Sequence, residues 1–404
     1  MGVTSLPDAE WRHREGLKRI VAALTARGGA VKLVGGAVRD TLLGLPVADI
    51  DLATPLTPDK VTEKLEAVGI KVVPTGIAHG TVTAIASHDR HEITTLRRDV
   101  ETDGRRATVA FADDWRDDAA RRDFTINALY ADPKTGAIDD YFGGLTDLEN
   151  GRIRFIGDAA TRIAEDHLRI LRFYRFVARF GHGDLDPASH AAVIAARQSL
   201  KSLSRERVAD ELTKVLALPD PRTIVGQMAA DGIFEVILPE LAPDFAAALD
   251  RLLANEGAAA ADASALRRLA ALLPPDAPTA EQVASRLRFS TRQRKHLAAL
   301  AGHRAAALSP PRRLAHEIGV EASADVYLLA ADSSAASEAS RSLSQWSVPD
   351  LPLKGGDIIA RGVTAGPEVA RLLKAIEAEW VAEDFPGVAR VAELLDQKIG
   401  RLSD

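Results

Sequence analysis

Five short runs rich in β-branched residues crowd into the first hundred positions. They are Ala30 to Val34, Ile50 to Ala53, Ile70 to Val73, Thr81 to Ala86 and His91 to Leu96, with helical stretches between them. That alternation predicts strands of a domain mixing helices and a sheet. From about Thr161 onward nearly every segment has helical spacing, punctuated by Pro and Gly. Aromatics are only 5% of the chain and alanine is abundant, which also favours helices. The spacing predicts one long helix over Thr161 to Phe180, stopped by Gly181 and Gly183. Helices over Pro187 to Leu200 and Arg205 to Leu218 follow, the second capped by Ser204 and ended by Pro219. Pro274 to Pro278 reads as a linker or sharp turn, and Asp332 to Ser342 as a loop or a weak helix. No short internal repeat is present. The chain reads as an α/β head followed by an all-helical remainder.

With 404 residues, more than one domain is expected. There is no cysteine, which excludes disulfides, thiolate zinc sites and a cysteine nucleophile. That usage suits a reducing cytosol, so a cytoplasmic location is expected. No apolar run approaches the roughly 18 residues that span a bilayer. The opening MGVTSLPDAEWRHREG is polar, so neither a cleaved signal peptide nor a membrane partner is expected. The net charge of −6 argues against a protein that coats polyanions in general. Charge is uneven, however. Residues 151–215 carry 12 Lys/Arg against 8 Asp/Glu, and residues 286–313 carry 8 Lys/Arg and no acid. Local basic faces on an acidic chain are the footprint of an RNA-backbone site. Arg286, Arg288, Arg292, Arg294 and Lys295 are the candidates. Phe289 is the only aromatic there, so base stacking is not indicated.

The densest chemical signal is VKLVGGAVRDTLLGLPVADIDLAT, residues 31–54. A strand ends at Val34, Gly35 and Gly36 turn the chain, and a helix begins near Ala37. The glycines let backbone approach a phosphate, and a helix start presents N–H groups to it. Arg39, in the first turn, can hold phosphate oxygens. Such a turn is also common for packing alone. Asp49 and Asp51 strengthen the functional reading. In an extended chain, residues i and i+2 share a face, so both carboxylates project together while Ile50 enters the core. Paired carboxylates repel, and a divalent cation relieves that repulsion; hard oxygen donors suit Mg²⁺, which also holds phosphates. A two-metal centre would stabilise both the attacking and the leaving oxygen in phosphoryl transfer. Glu92 is a candidate third carboxylate, and a surface strand glutamate is the competing reading.

Five motifs in order carry a family resemblance. They are GGAVRD, then DID, then RRDFTINAL at Arg121 to Leu129, GGLTDLENGRIRFIGD, and EDHLRILRFYRF. Together they resemble the class II tRNA nucleotidyltransferases, the CCA-adding enzymes grouped with bacterial poly(A) polymerases. The likeness runs from about Val31 to Arg179, resumes with SRERVADELTKVL, and returns weakly near residues 353–369. It implies an α+β head of the polymerase-beta-like nucleotidyltransferase type with a mixed sheet, over residues 1–156. An all-α neck over 157–245 and a helical body and tail over 246–404, the latter contacting tRNA, would follow. The implied activity is template-free addition of C, C and A to the tRNA 3′ end from CTP and ATP. No obligate protein partner is implied. By carry-over Asp49 and Asp51 are metal ligands, Gly36 and Arg39 belong to the triphosphate site, and Arg122 binds nucleotide. Asp123 and Asn127 help with the ribose and the geometry.

In the predicted long helix, Asp166 and Arg169 stand three apart and would neighbour each other on one face. A plain surface ion pair is one reading. Hydrogen-bond complementarity gives another: a carboxylate only accepts and a guanidinium only donates. Cytosine and adenine offer an amino donor beside a ring-nitrogen acceptor, which this pair matches. Uracil and guanine present the reverse and would leave groups unpaired. The resemblance implies this manner of choosing nucleotides. Arg172 is a candidate for a base or triphosphate contact. Arg175 fits the family pattern too and could brace the helix instead. Phe173 and Phe176 read as core.

Residues 97–120 form a charged segment expected to be an exposed, mobile loop. The resemblance implies a loop needed for switching to ATP, and its length argues against a CC-only enzyme. The family's RHP-like triplet is replaced here by Arg105-Arg106-Ala107. The competing functions are a poly(A) polymerase, an A-adding specialist, and a catalytically dead tRNA-binding module. His296, His303 and His316 form no His-Asp doublet, so a hydrolytic activity is not expected.

Overall fold

In the computed structural model the five β-branched runs become strands: β1 (Lys32–Val34), β2 (Asp51–Thr54), β3 (Lys71–Gly76), β4 (Thr81–Ala86) and β5 (Asp89–Thr95). Residues 5–77, 80–102, 107–112, 114–304 and 309–400 are described. The charged segment after β5 holds an antiparallel hairpin, β6 (Arg97–Thr102) and β7 (Ala107–Phe111), in place of the expected loop. Arg105 and Arg106 of the expected triplet lie outside the described residues. Two further strands, β8 (Leu129–Ala131) and β9 (Ile138–Asp140), complete the head.

Seven strands form one mixed sheet in the order β3-β4-β5-β2-β1-β8-β9, with β2 and β5 parallel and the other neighbours antiparallel. The register places one residue from each of four strands in a row: Glu92, Asp51, Val34 and Tyr130. Neighbours in a row share a face, so the end of β1 and its glycine turn emerge beside the carboxylates. Helices α1 (Glu15–Thr25), α2 (Gly36–Leu42) and α3 (Pro58–Glu66) belong to the head, as do α4 (Trp115–Ala120) and α5 (Gly144–Glu149). Helices α1 and α3 pack on the sheet through Leu17, Ile20, Leu24, Val61 and Leu65. On the face shared with Val34 and Tyr130, a second cluster joins Ala53, Leu96, Ala112, Ala119, Ala128 and Ile156.

The expected long helix is two. Helix α6 (Ala159–Glu165) ends at Asp166, whose backbone is extended (φ −150°, ψ 105°), and α7 (Arg169–Phe180) restarts after a turn. The correction has a local cause. Asp166 uses its side chain to accept from the Leu168 N–H at 3.1 Å, and a short polar side chain that bonds nearby backbone competes with the helix. Helices α8 (Pro187–Ala196), α9 (Arg205–Leu216), α10 (Arg222–Ala230) and α11 (Phe234–Ile237) follow. Phe173 and Phe176 are core, as expected: Phe173 stacks on Phe155, and Phe176 packs at a tilt against Phe124.

The chain divides into two compact units. The first is Met1–Val215 with Thr223–Ile237, and the second is Leu216–Arg222 with Leu238–Asp404. Every described helix after Ile237 belongs to the second unit. There Asp332 caps the helix Ser333–Leu343, which settles the segment left between loop and helix. Pro278 sits in the first turn of the helix Ala277–Arg286, so the Pro274 to Pro278 segment is a turn into a helix. No helix of the described residues is long and apolar enough to cross a membrane.

Candidate nucleotide site

Gly35 ends β1 with φ +69° and ψ −127°, a conformation that costs an L side chain dearly. A Cβ on Gly35 would come within 3.5 Å of Arg122 Nη1. Helix α2 then starts at Gly36. Arg39 is buried, donating to Asn127 Oδ1 at 2.5 Å and to Asp40 Oδ1 at 2.8 Å, with its guanidinium 4.0 Å from the centre of the Phe180 ring.

The acidic pair behaves as the alternation requires. Ile50 is buried at 4%, Asp49 is exposed and Asp51 is half-buried. Only Asp51 lies within β2; Asp49 belongs to the segment leading into it. Glu92 is the in-register neighbour of Asp51 on the parallel strand and is exposed. Burial raises the Asp51 carboxyl first, and the negative charges of Glu92 and Asp49 add to that against Arg122, bringing it to about 6. These residues line a cleft of about 590 Å³ together with Arg90, Thr75 and Thr83. Among the described residues no three His, Asp or Glu side chains converge on one point as a closed metal cage needs. Two oxygen-donor carboxylates under mutual repulsion still fit a divalent cation that completes its shell with substrate oxygens and water.

RRDFTINA turns over the same end of the sheet. Arg122 donates from Nε to the Tyr130 hydroxyl and from Nη2 to Asp118 Oδ2, each at 3.2 Å. Asp123 is buried, which by itself would raise its pKa. The Arg172 guanidinium, the Asn127 amide and the Phe124 N–H more than offset that and hold it at about 2. A polar chain thus runs from Arg39 through Asn127 and Asp123 to Arg172.

Asp166 and Arg169 do not pair with each other. Asp166 receives Arg207 of α9 on both oxygens, at 3.0 and 2.8 Å. Arg169 donates through Nη1 to Glu165 Oε2 (2.6 Å) and the Arg162 carbonyl (2.8 Å), and through Nη2 to the Arg121 carbonyl (2.9 Å). The shared-face argument therefore fails; the break puts the two residues on either side of a turn. Arg175 meets buried Glu211 at 2.6 Å, which makes it a brace between α7 and α9.

Sequence reasoning missed Asp118, Tyr130, Arg207 and Glu211. The last two stand at i and i+4 in SRERVADE, a helical spacing that could have shown two side chains on one face of α9.

The basic stretch is less free than it reads. Arg286 is clamped by both oxygens of Glu240, Arg292 meets Glu321 at 3.0 Å, and Arg294 lies 3.8 Å from Glu281. Arg288 and Lys295 are exposed and form no ion pair among the described residues. Arg286 is thus a structural cation, because acids distant in sequence return to this face.

Residues 31–154 match the poly A polymerase head domain, and residues 184–245 match a probable RNA and SrmB-binding site of polymerase A. The human mitochondrial CCA tRNA nucleotidyltransferase 1 is 43% identical over 213 residues, 52% of this chain and 49% of the relative. The CCA-adding enzyme of Leuconostoc citreum is 40% identical over 243 residues, 60% of this chain and 56% of the relative. The chain spans about half the length of these curated relatives. A Bacillus stearothermophilus CCA-adding enzyme in complex with CTP superposes with a TM-score of 0.78 at 28% identity, covering 96% of this chain and 99% of that one. A Thermotoga maritima CCA-adding enzyme complexed with tRNA shares the fold, with a TM-score of 0.68 at 22% identity over 96% of this chain and 99% of that one. The matched head takes in the glycine turn, the carboxylates and RRDFTINA, and a matched RNA-binding segment follows it, so this chain carries a poly A polymerase head domain.

Proposed function

We propose that this protein adds CCA to the 3′ end of tRNA, taking CTP and ATP without a nucleic-acid template. The observation that carries the reading is the row that sets Glu92 and Asp51 beside Val34 and its Gly35 turn, with Arg122 above it. That arrangement offers anionic and cationic groups to the two sides of one triphosphate. The tRNA 3′-hydroxyl loses its proton to solvent and its oxygen attacks the α-phosphorus, the new P–O ester bond forms, and the bond to the β-phosphate oxygen breaks to release pyrophosphate. Asp49 and Asp51 would hold Mg²⁺, which when bound would neutralise the phosphates and favour the alkoxide form of the attacking hydroxyl. Arg122 faces the phosphates with its free Nη1. Arg39 and Asn127 hold Asp123 and the glycine turn in register, and Arg172 closes that chain from α7.

Nucleotide choice follows from valences left over. Arg169 spends three of its five N–H donors on protein acceptors, so Nε–H and one Nη2–H remain, either of which can donate to a ring nitrogen. A carboxylate has about four acceptor positions. Asp166 fills three with Leu168 and Arg207, and one on Oδ2 remains for an exocyclic amino group. An acceptor on Asp166 beside a donor on Arg169 is the complement of cytosine and adenine. In this reading residues 1–156 carry out the transfer, 157–245 choose the nucleotide, and 246–404 contact tRNA, with Arg288 and Lys295 its available cations. The cytoplasm is the proposed location.

The test is extension of a tRNA transcript lacking CCA, at single-nucleotide resolution, with Mg²⁺ and with CTP and ATP supplied singly and together. Three additions that stop are expected. Long adenosine tails would instead mean a poly(A) polymerase, and adenosine added only after CC an A-adding enzyme. No addition by folded protein would mean a binding module.

A further inference from the structure

The guanidinium of Arg122 is gripped along one edge. Nε donates to the Tyr130 hydroxyl and Nη2 to Asp118 Oδ2, and the hydroxyl donates to that same Oδ2 at 2.5 Å. Nη1 is left on the opposite side, next to the Gly35 turn. Asp118 also receives Arg121 through Nε (2.9 Å) and Nη2 (2.7 Å), and the Arg97 N–H at 3.3 Å, all on Oδ1. Its side chain is 1% exposed and Tyr130 is 0% exposed, so neither can touch a ligand in the cleft. The carboxylate is therefore saturated by protein donors drawn from three places: the start of β6, the two arginines that follow helix α4, and strand β8.

Two guanidiniums on one carboxylate leave one positive charge that Asp118 does not neutralise. That charge, on the Nη1 side, faces the turn where the phosphates of the proposed reaction would lie. A long arginine free to sample rotamers would lose that freedom on binding, whereas one held by an edge has already lost it. Trp115 and Tyr141 pack edge-on against Tyr130 and fix the ring that carries the hydroxyl.

We propose that Asp118 and Tyr130 are positioning residues for Arg122, holding its guanidinium by the Nε–Nη2 edge so that Nη1 meets an anionic oxygen of the bound nucleotide. This rests on the head binding a nucleoside triphosphate, as in the proposed function.

Equilibrium binding of CTP and of ATP, each with Mg²⁺, to the full chain tests it. The variants are Y130F, D118N, R122A and the two doubles with R122A. Y130F and D118N are each expected to weaken both nucleotides about 10-fold, the scale of a lost charge-assisted hydrogen bond. In the R122A background either change should add less than about 2-fold, because the residue it acts through is gone. In extension assays the KM for each nucleotide should rise with little change in kcat. Wild-type affinity in Y130F, or the full 10-fold loss repeated on top of R122A, overturns the proposal. Y130F removes a single oxygen and decides the matter if D118N does not fold. The two readings fail differently. Wild type that binds both nucleotides but never extends tRNA ends the CCA reading and leaves the positioning result standing. Wild type that binds neither nucleotide ends both.

Discussion

Asp166 is held by Arg207, 41 residues further on, and not by Arg169 three residues away. The carboxylate proposed to read a base is thus oriented from a second helix. The pair is about one-third exposed on each side, so its worth to folding is small, roughly 0–1 kcal/mol. Its worth to selection is larger, because a carboxylate free to rotate no longer rejects a carbonyl. We expect R207A to keep its fold and lose about 10-fold of its preference for CTP and ATP over UTP and GTP. Measuring kcat/KM for the four nucleotides checks this, and unchanged ratios would remove Arg207 from selection.

Asp51 is the clearest conflict between stability and function. Its folded pKa, about 6, lies above its ordinary 3.8, so the native state holds the proton more tightly than the unfolded one. The resulting stabilisation is present below pH 3.8 and is lost as pH rises through 6. Metal-free D51N lacks this penalty. It should melt above the wild type at pH 7.5, by an amount worth at most about 3 kcal/mol, and the gap should close as pH falls toward 4. Mg²⁺ should stabilise the wild type and not the variant, and nucleotide addition by D51N, like that by D49A or D51A, should be lost. A pH-independent melting difference would show that Asp51 is not the strained group.

Asp123 has the opposite sign. Its folded pKa of about 2 lies below the ordinary value, so its contribution is present above pH 3.8 and is lost as pH falls through 2. Removing the carboxylate leaves half-buried Arg172 without its nearest counter-charge and strips the Phe124 N–H and the Asn127 amide of their buried acceptor. D123A should cost about 3–5 kcal/mol in urea unfolding at pH 7, and the penalty should shrink in acid between pH 4 and 2. A loss under 1 kcal/mol at pH 7 would mean that Glu211, 4.0 Å from Arg172, already suffices.

Some of this was legible in the chain and some was not, for physical reasons. The β-branched runs, the glycine turn and the burial of Ile50 between two aspartates depend on local periodicity. Each is found where that periodicity puts it. The break at Asp166 was hidden, because apolar spacing continues across it on both sides while one side-chain bond to Leu168 N–H decides the backbone. The β6–β7 hairpin was masked by its charge, which reads as a solvated loop although the segment keeps strand-forming residues. Asp118 stands three and four residues before Arg121 and Arg122, a spacing that local sequence does carry, whereas Glu211 and Glu240 reach their arginines only through the fold, so the neutralisation of Arg286 cannot be read from a window of sequence.

The two glycines of the turn should separate in experiment. Gly35 sits at φ +69°, where a β-carbon is strained whatever the available space, although its Cβ would meet Arg122 Nη1 only at an ordinary 3.5 Å. Gly36 is helical, and a Cβ there would meet only Arg39 Nη2 at an ordinary 3.6 Å. G35A should cost about 1–3 kcal/mol in stability and raise the KM for nucleotides, while G36A should fold normally. If both variants behave alike, backbone conformation is not what the first glycine supplies.

In the second unit the exposed cations should divide from the clamped one. Arg288 and Lys295 are exposed without ion pairs among the described residues, so each can release counterions from an RNA backbone. The R288A/K295A pair should leave the melting temperature alone, weaken tRNA binding, and lower the slope of log affinity against log salt by about 1–2. Arg286 is tied to Glu240 by two bonds and is half-buried. R286A should therefore lower the melting temperature and leave the salt slope unchanged. If R286A reduced the slope while R288A/K295A did not, the tRNA backbone would lie on the Glu240 side of this surface.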